Sequence, residues 1–185
     1  DKRGATLSGP RGTRDMPKTE TRAVSDIREH LERFRGVTLQ TLEWVPDGKL
    51  HFAPQEGLRP FDEQFLHIAR TEEYHVRGLL LGDWNRERYF ARPSELTQES
   101  LRRILDETRV VTLKALDALD PARLDDHVQV PDVPVDWTLR AWLWYLVEHE
   151  VHHKAQLALY LRLVGVIPPF FALAFPPGVR PDVRG

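Results

Sequence analysis

The chain has 185 residues, 41% of them hydrophobic, with a formal net charge of -2 and a sequence pI near 6.5. That length suits one domain with a substantial core, and the interspersed charges leave no basic patch of the kind that binds nucleic acid. There is no cysteine, which excludes a disulfide framework, a thiolate zinc site and a cysteine nucleophile, so any thiol chemistry draws on a cosubstrate.

The first stretch, DKRGATLSGPRGTRDMPKTETRAVSD, lacks the apolar segment of a signal peptide, and no later run reads as a membrane span. A cytoplasmic location is the expectation. Met16 is the only methionine, so residues 1–15 are expected to be an upstream extension or a processing remnant. From Ser25, read as an N-cap, Ile27, Leu31, Phe34, Thr38, Leu42 and Val45 recur at helical spacing. This predicts a first helix ending at Pro46 and the turn Asp47-Gly48.

Pro60 reads as a first-turn residue of a second helix, FDEQFLHIARTEEYHVRGLLLGD. Phe61, Phe65, Ile68, Glu72 and His75 trace one face, Gln64, His67, Thr71 and Tyr74 another, and Gly82-Asp83 closes it. After the linker WNRERYFARP, Ser94 or Thr97 caps a third helix, whose stripe is Leu101, Ile104, Leu105, Thr108, Val111, Thr112, Ala115, Leu116 and Leu119. Its charged face is expected to be solvated. Asp120-Pro121 stops it, and a proline-bearing loop with a short extended pair leads to a fourth helix capped by Asp136 or Thr138. That helix is long and mostly apolar, and the chain after Gly165 is apolar but broken by prolines. Four amphipathic segments without alternating strands predict an all-α four-helix bundle over residues 25–169, between an N-terminal extension (1–24) and a proline-rich C-terminal tail (170–185). The tail is expected to lie across the bundle or a partner, which motivates a homodimer.

The fourth helix carries HEVHHKAQ at its middle. His149 and His153, four residues apart, stack on one helical face and can share one ion. The string also satisfies H-E-x-x-H, the zinc-protease signature with Glu150 as general base. The residues after His153 carry Gln156 where a metzincin needs glycine, no histidine follows, and the only later acid is Asp182. A protease is therefore disfavoured. The third ligand is sought upstream, at His67 among Phe65, Leu66 and Ile68, with His75 as its rival and His152 as a geometric alternative to His153. His30, His51 and His127 sit in polar contexts and read as surface residues. Three imidazoles with an open position describe a catalytic rather than a closed structural metal site. Trp142, Tyr145, Gln156 and Tyr160 share the histidine face by steps of three and four and are expected to line a pocket or, for Trp142 equally, to fill the core. Glu150 is a possible base or a solvated residue.

At HEVHHKAQLALYLRLVGVIPP, joined to FDEQFLHIARTEEYHVRGLLLG, the sequence resembles the DinB-like (YfiT-like) superfamily of metal-dependent enzymes. The resemblance runs from the first helix onward and departs at residues 1–24 and 170–185. It implies a divalent metal, zinc or nickel, on His67, His149 and His153, with Lys154, Ala155 and Gln156 completing the helix-four motif. It also implies an up-down-down-up bundle, frequent dimers and, in some relatives, thiol S-transfer using bacillithiol, mycothiol or glutathione. A metal-dependent hydrolase and a non-catalytic metal-binding dimerisation module are the alternatives.

Overall fold

A computed structural model describes residues 18–169. Its elements are α1 (Lys18–Glu43), α2 (Phe61–Leu81), a single-turn α3 (Arg86–Tyr89), α4 (Gln98–Asp117), a 3₁₀ turn (Pro121–Asp125), β1 (His127–Val128), β2 (Trp137–Thr138) and α5 (Leu139–Leu163). The four long helices pack as a bundle in which α1 and α2 each lie against α4 and α5. The proline-rich tail, and with it the basis for expecting a dimer, lies outside the described residues.

Local chemistry accounts for most boundaries. Thr97, not Ser94, caps α4: its hydroxyl accepts from the Ser100 amide while Ser100 Oγ accepts from the Thr97 amide, so two orphan donors are satisfied together. Thr138, not Asp136, caps α5 through the Ala141 amide. Gly82 ends α2 at φ 72°, a left-handed position that costs glycine nothing. Pro60 is the residue before α2 rather than its first turn. The expected start of the first helix is corrected too. α1 begins at Lys18, Ser25 lies inside it, and Ala23 and Val24 pack on the core, so apolar contact extends the helix beyond the cap the sequence offers. The short extended pair expected within residues 122–136 reaches further: β1 and β2 pair antiparallel, His127 opposite Thr138 and Val128 opposite Trp137, so the second strand takes the residues read as the start of the fourth helix.

Two apolar clusters fill the bundle. One gathers Ile27 and Leu31 of α1, Val76 and Leu79 of α2, Leu116 of α4 and Leu139, Leu143 and Leu146 of α5. The other gathers Leu42, Phe61, Phe65, Ile68, Leu101, Leu105, Leu157 and Leu161. Each fully buried leucine or phenylalanine contributes roughly 1.5–3 kcal/mol. Along the chain α1 runs from the first cluster to the second, α2 and α4 run from the second to the first, and α5 returns, which is the up-down-down-up order. Between the clusters all four helices turn polar at the same level: Arg35 and Thr38, Glu72, Thr108, Arg109 and Thr112, and Glu150, every one of them buried.

This layer corrects two expectations. Arg109 belongs to the core and not to a solvated face, and Glu150 is only 2% exposed. Glu150 accepts from Arg35 Nε at 2.9 Å, Arg109 Nη2 at 2.7 Å and Thr38 Oγ1 at 2.8 Å. Glu72 accepts from Arg35 Nη2 at 2.6 Å, Arg109 Nη2 at 2.8 Å and Thr112 Oγ1 at 2.5 Å. Two guanidinium groups thus share two carboxylates, the pairing that burial of charge demands.

Gly78 marks a close approach. A Cβ built there would overlap the six-membered ring of Trp84, which crosses α2 at that point. Alanine normally favours a helix interior over glycine by roughly 0.5–1 kcal/mol, whereas overpacking costs about 1–3 kcal/mol. Gly78→Ala is therefore expected to destabilise the wild type by up to about 2 kcal/mol and to stabilise a Trp84→Ala background. Urea denaturation of the four proteins of that cycle checks the reversal of sign.

Candidate metal centre

The helical periods of α2 and α5 bring three of the chain's eight histidines together across the α2–α5 interface. His67, His149 and His153 each offer a ring nitrogen, and these three atoms lie within 4.8 Å of one another. The ring centroids are 5.0 Å apart for His67 and His149, 4.7 Å for His67 and His153, and 4.5 Å for His149 and His153. The rivals are placed elsewhere. His75 Nδ1 donates to the Thr71 carbonyl at 2.8 Å and its ring packs against Trp84, Trp142 and Tyr145, while His152 is exposed and meets Gln156. His51 and His127 are exposed and paired with Asp62 and Asp136, and His30 is half-buried against Trp144.

The donor set fits a divalent ion on its geometry. Two nitrogens held at about 2.0–2.1 Å by one tetrahedral zinc lie about 3.3 Å apart, and His67 Nε2 and His149 Nε2 are 3.2 Å apart. His153 Nδ1 lies 2.6 Å from Gln64 Oε1 and 3.0 Å from Gln156 Oε1. Both partners are acceptors, so Nδ1 carries the proton and Nε2 keeps its lone pair for a ligand role. Gln64 was not singled out from the sequence. The signal was present in its place three residues before His67, on the face that meets α5.

Burial holds all three rings neutral. It lowers His67 to about 4, with help from the nearby positive charge of Arg59 and from His153. It lowers His149 to about 3, with His153, His67 and His75 adding to the effect. It lowers His153 to about 4, with His152 adding and the Gln156 hydrogen bond opposing. Neutral imidazole is the metal-binding form. In the metal-free protein these rings resist protons that the unfolded chain takes up below its ordinary 6.5. Folded pKa values below the unfolded ones mean stability that is complete above pH 6.5 and lost as pH falls through about 4. The melting temperature of metal-free protein is thus expected to drop across that window. The drop should flatten when His149 and His153 are both replaced by glutamine, and an unchanged slope would refute the buried-neutral assignment.

Two cavities open on the histidines. One, of about 450 Å³, is lined by His67, His149 and Tyr145 together with Thr71, Tyr74 and His75 of α2 and the loop carrying Val130 to Val133. The other, of about 750 Å³, is lined by His67, His149, His153, Tyr145, Gln156 and Tyr160. Tyr145, Gln156 and Tyr160 are among the residues that line the second cavity. Trp142 does not: it is 2% exposed, packs on Trp137 and His75, and donates from Nε1 to the Val128 carbonyl. Burial raises the Tyr145 phenol above its ordinary value, so it stays protonated and able to donate. Glu150, the would-be base, points from the same helix into the polar layer, because one residue along a helix turns the side chain by about 100°.

The comparisons with known proteins agree with this architecture. Protein YjoA of Bacillus subtilis (strain 168), described as uncharacterized, is 25% identical over 142 residues, which span 76% of this chain and 90% of YjoA. The crystal structure of YjoA, described as DinB-like, matches with a TM-score of 0.65 at 24% identity, covering 79% of this chain and 97% of that one. The model of the DinB superfamily matches residues 30–157, a span that takes in the polar layer and all three clustered histidines. With the bundle order and the match over most of its length in agreement, the chain belongs to the DinB superfamily.

Proposed function

We propose that the protein is a metal-dependent enzyme that uses His67, His149 and His153 to hold one divalent ion, zinc or nickel, and transfers the sulfur of a small thiol to an electrophile. The observation that carries this reading is the convergence of three neutral imidazoles, with no carboxylate among them, at the meeting of two open cavities. An ion bound there supplies a Lewis acid that lowers the pKa of a thiol toward thiolate at neutral pH. The chain has no cysteine of its own to offer, so the sulfur comes from a cosubstrate of the bacillithiol, mycothiol or glutathione kind.

The protein's residues then perform the remaining tasks. Gln64 and Gln156 fix the His153 tautomer through Nδ1. Tyr145 lines both cavities and keeps its phenolic proton, so Tyr145 Oη can donate to a developing anion or to a departing group. In the transfer a new C–S bond forms from the thiolate electron pair, and the leaving group departs with the pair of the bond that breaks.

Elemental analysis of untagged wild type beside His67→Ala, followed by titration of the cobalt-substituted protein with a low-molecular-weight thiol, tests the proposal. Stoichiometric metal in wild type, at least tenfold less in the variant, and a thiol-dependent change in the cobalt absorption are expected. Metal equal in both proteins would return His67 to the core, and a cobalt spectrum indifferent to thiols would move the assignment to hydrolysis.

A further inference from the structure

The 450 Å³ cavity is unusually cationic for this molecule. Its lining includes Arg59, Arg70, Arg86 and Arg92 against one carboxylate, Glu63, in a chain whose formal net charge is -2. Two of these cations are already matched: Arg70 bonds Glu73 at 3.1 Å and Arg92 bonds Glu63 at 2.7 Å. Arg59 and Arg86 have no carboxylate partner among the described residues, and Arg86 rests over the Phe90 ring at 5.1 Å. Arg59 lines both cavities, close enough to the histidines for its charge to bear on His67 and His153.

A permanent guanidinium charge next to a site built for a dication raises the local positive potential, since the three imidazoles contribute no negative charge. Such a site is satisfied by an anion, and planar guanidinium groups favour carboxylate and phosphate oxygens. The same lining also carries apolar surface from Tyr74, Phe90, Val130, Pro131 and Val133. The volume lies in the range of small-molecule sites. The preferred occupant therefore has a charged end and an apolar body.

We propose that this cavity binds a small amphipathic acid, a carboxylate or phosphate monoester, whose anionic end is held by Arg59 and Arg86 and whose other end reaches His67 and His149. The assignment rests on the reading of the histidine cluster as the reactive centre, and it gives that centre its substrate class. Arg59 lies on the connection before α2 and Arg86 on α3, so both come from outside the bundle core and can recognise a substrate without burdening the fold.

Calorimetric titration of the metal-free protein with 4-phenylbutyrate, phenyl phosphate and the neutral 4-phenylbutyramide provides the test. The acids are expected to bind at least tenfold more tightly than the amide, and whichever acid binds better assigns the anion to the carboxylate or the phosphate class. In the exposed double variant Arg59→Gln, Arg86→Gln the acids should lose that tenfold while the amide keeps its Kd within twofold. An Arg123→Gln control, at a residue outside the cavity lining, should retain the preference. Equal binding of acid and amide, or a preference that survives in the double variant, would overturn the proposal. Because no metal or thiol enters these titrations, a cobalt spectrum that ignores thiols would count against sulfur transfer alone and leave the anion site standing.

Discussion

Glu150→Ala is expected to destabilise the protein by about 3–5 kcal/mol, the cost of breaking a buried ion pair by removing one partner. The carboxylate it deletes is the shared acceptor of Arg35, Arg109 and Thr38 in a layer sealed above and below by apolar clusters. Burial alone would push Glu150 up, but the charges of Arg35 and Arg109 and the hydrogen bonds from Arg35 and Thr38 outweigh it, so the group is held well below the usual carboxylate range. Without it, two buried guanidiniums face Glu72 alone. At roughly 2–4 °C per kcal/mol for a chain of this size, the melting temperature should fall by roughly 6–20 °C. Glu150→Gln should cost less, because the amide oxygen can still accept from Thr38, but it leaves the same charge uncompensated. Thermal and urea unfolding of both variants check the ranking, and a loss below about 1 kcal/mol would show that the layer is not sealed from water. Metal bound by either variant at low temperature should match wild type, because the Glu150 carboxylate bonds Arg35, Arg109 and Thr38 and not the three histidines. That readout separates a structural carboxylate from the general base that H-E-x-x-H suggests.

The second large effect concerns ligand linkage. A divalent ion that binds the folded chain and not the unfolded one stabilises it by about 4.1 kcal/mol at a free concentration 1,000 times its Kd. Zinc or nickel in such excess is therefore expected to raise the melting temperature of metal-free protein by roughly 8–16 °C. His153→Ala should abolish the rise. It removes a ligand and leaves Gln64 and Gln156 without the imidazole they hold, so the metal-free variant should also be modestly less stable. A rise that persists in His153→Ala would place the ion at other groups and refute the three-histidine site.

Much of the bundle was legible because its signals are local and periodic. Leu101, Leu105, Thr108, Thr112 and Leu116 spell the buried stripe of α4, and all five are buried. Gly82 and the Thr97–Ser100 pair mark boundaries through backbone chemistry that needs no distant partner. The histidine pair of α5 was legible for the same reason, since a four-residue spacing determines a shared face. Arg35, Glu72, Arg109 and Glu150 were harder to read. Each sits at a core position of its own helix, yet a charged residue at such a position has meaning only beside its opposite charge, and those partners lie 37 to 115 residues away.

By itself, then, the sequence determined four helices, the close of α2 at Gly82, two candidates each for the caps of α4 and α5, the shared face of His149 and His153, and the lack of any thiol in the chain. Those properties depend on the 3.6-residue period and on composition, which are written into neighbouring residues. Tertiary structure alone decided that Trp142 fills the core, that Glu150 turns away from the histidines, and that Arg59 and Arg86 line one cavity. The last depends on where α3 and the connection before α2 lie, and the first two on how α5 is rotated and offset against its neighbours. That relation is set by the packing of two apolar clusters around a buried charged layer, and no single helix encodes it.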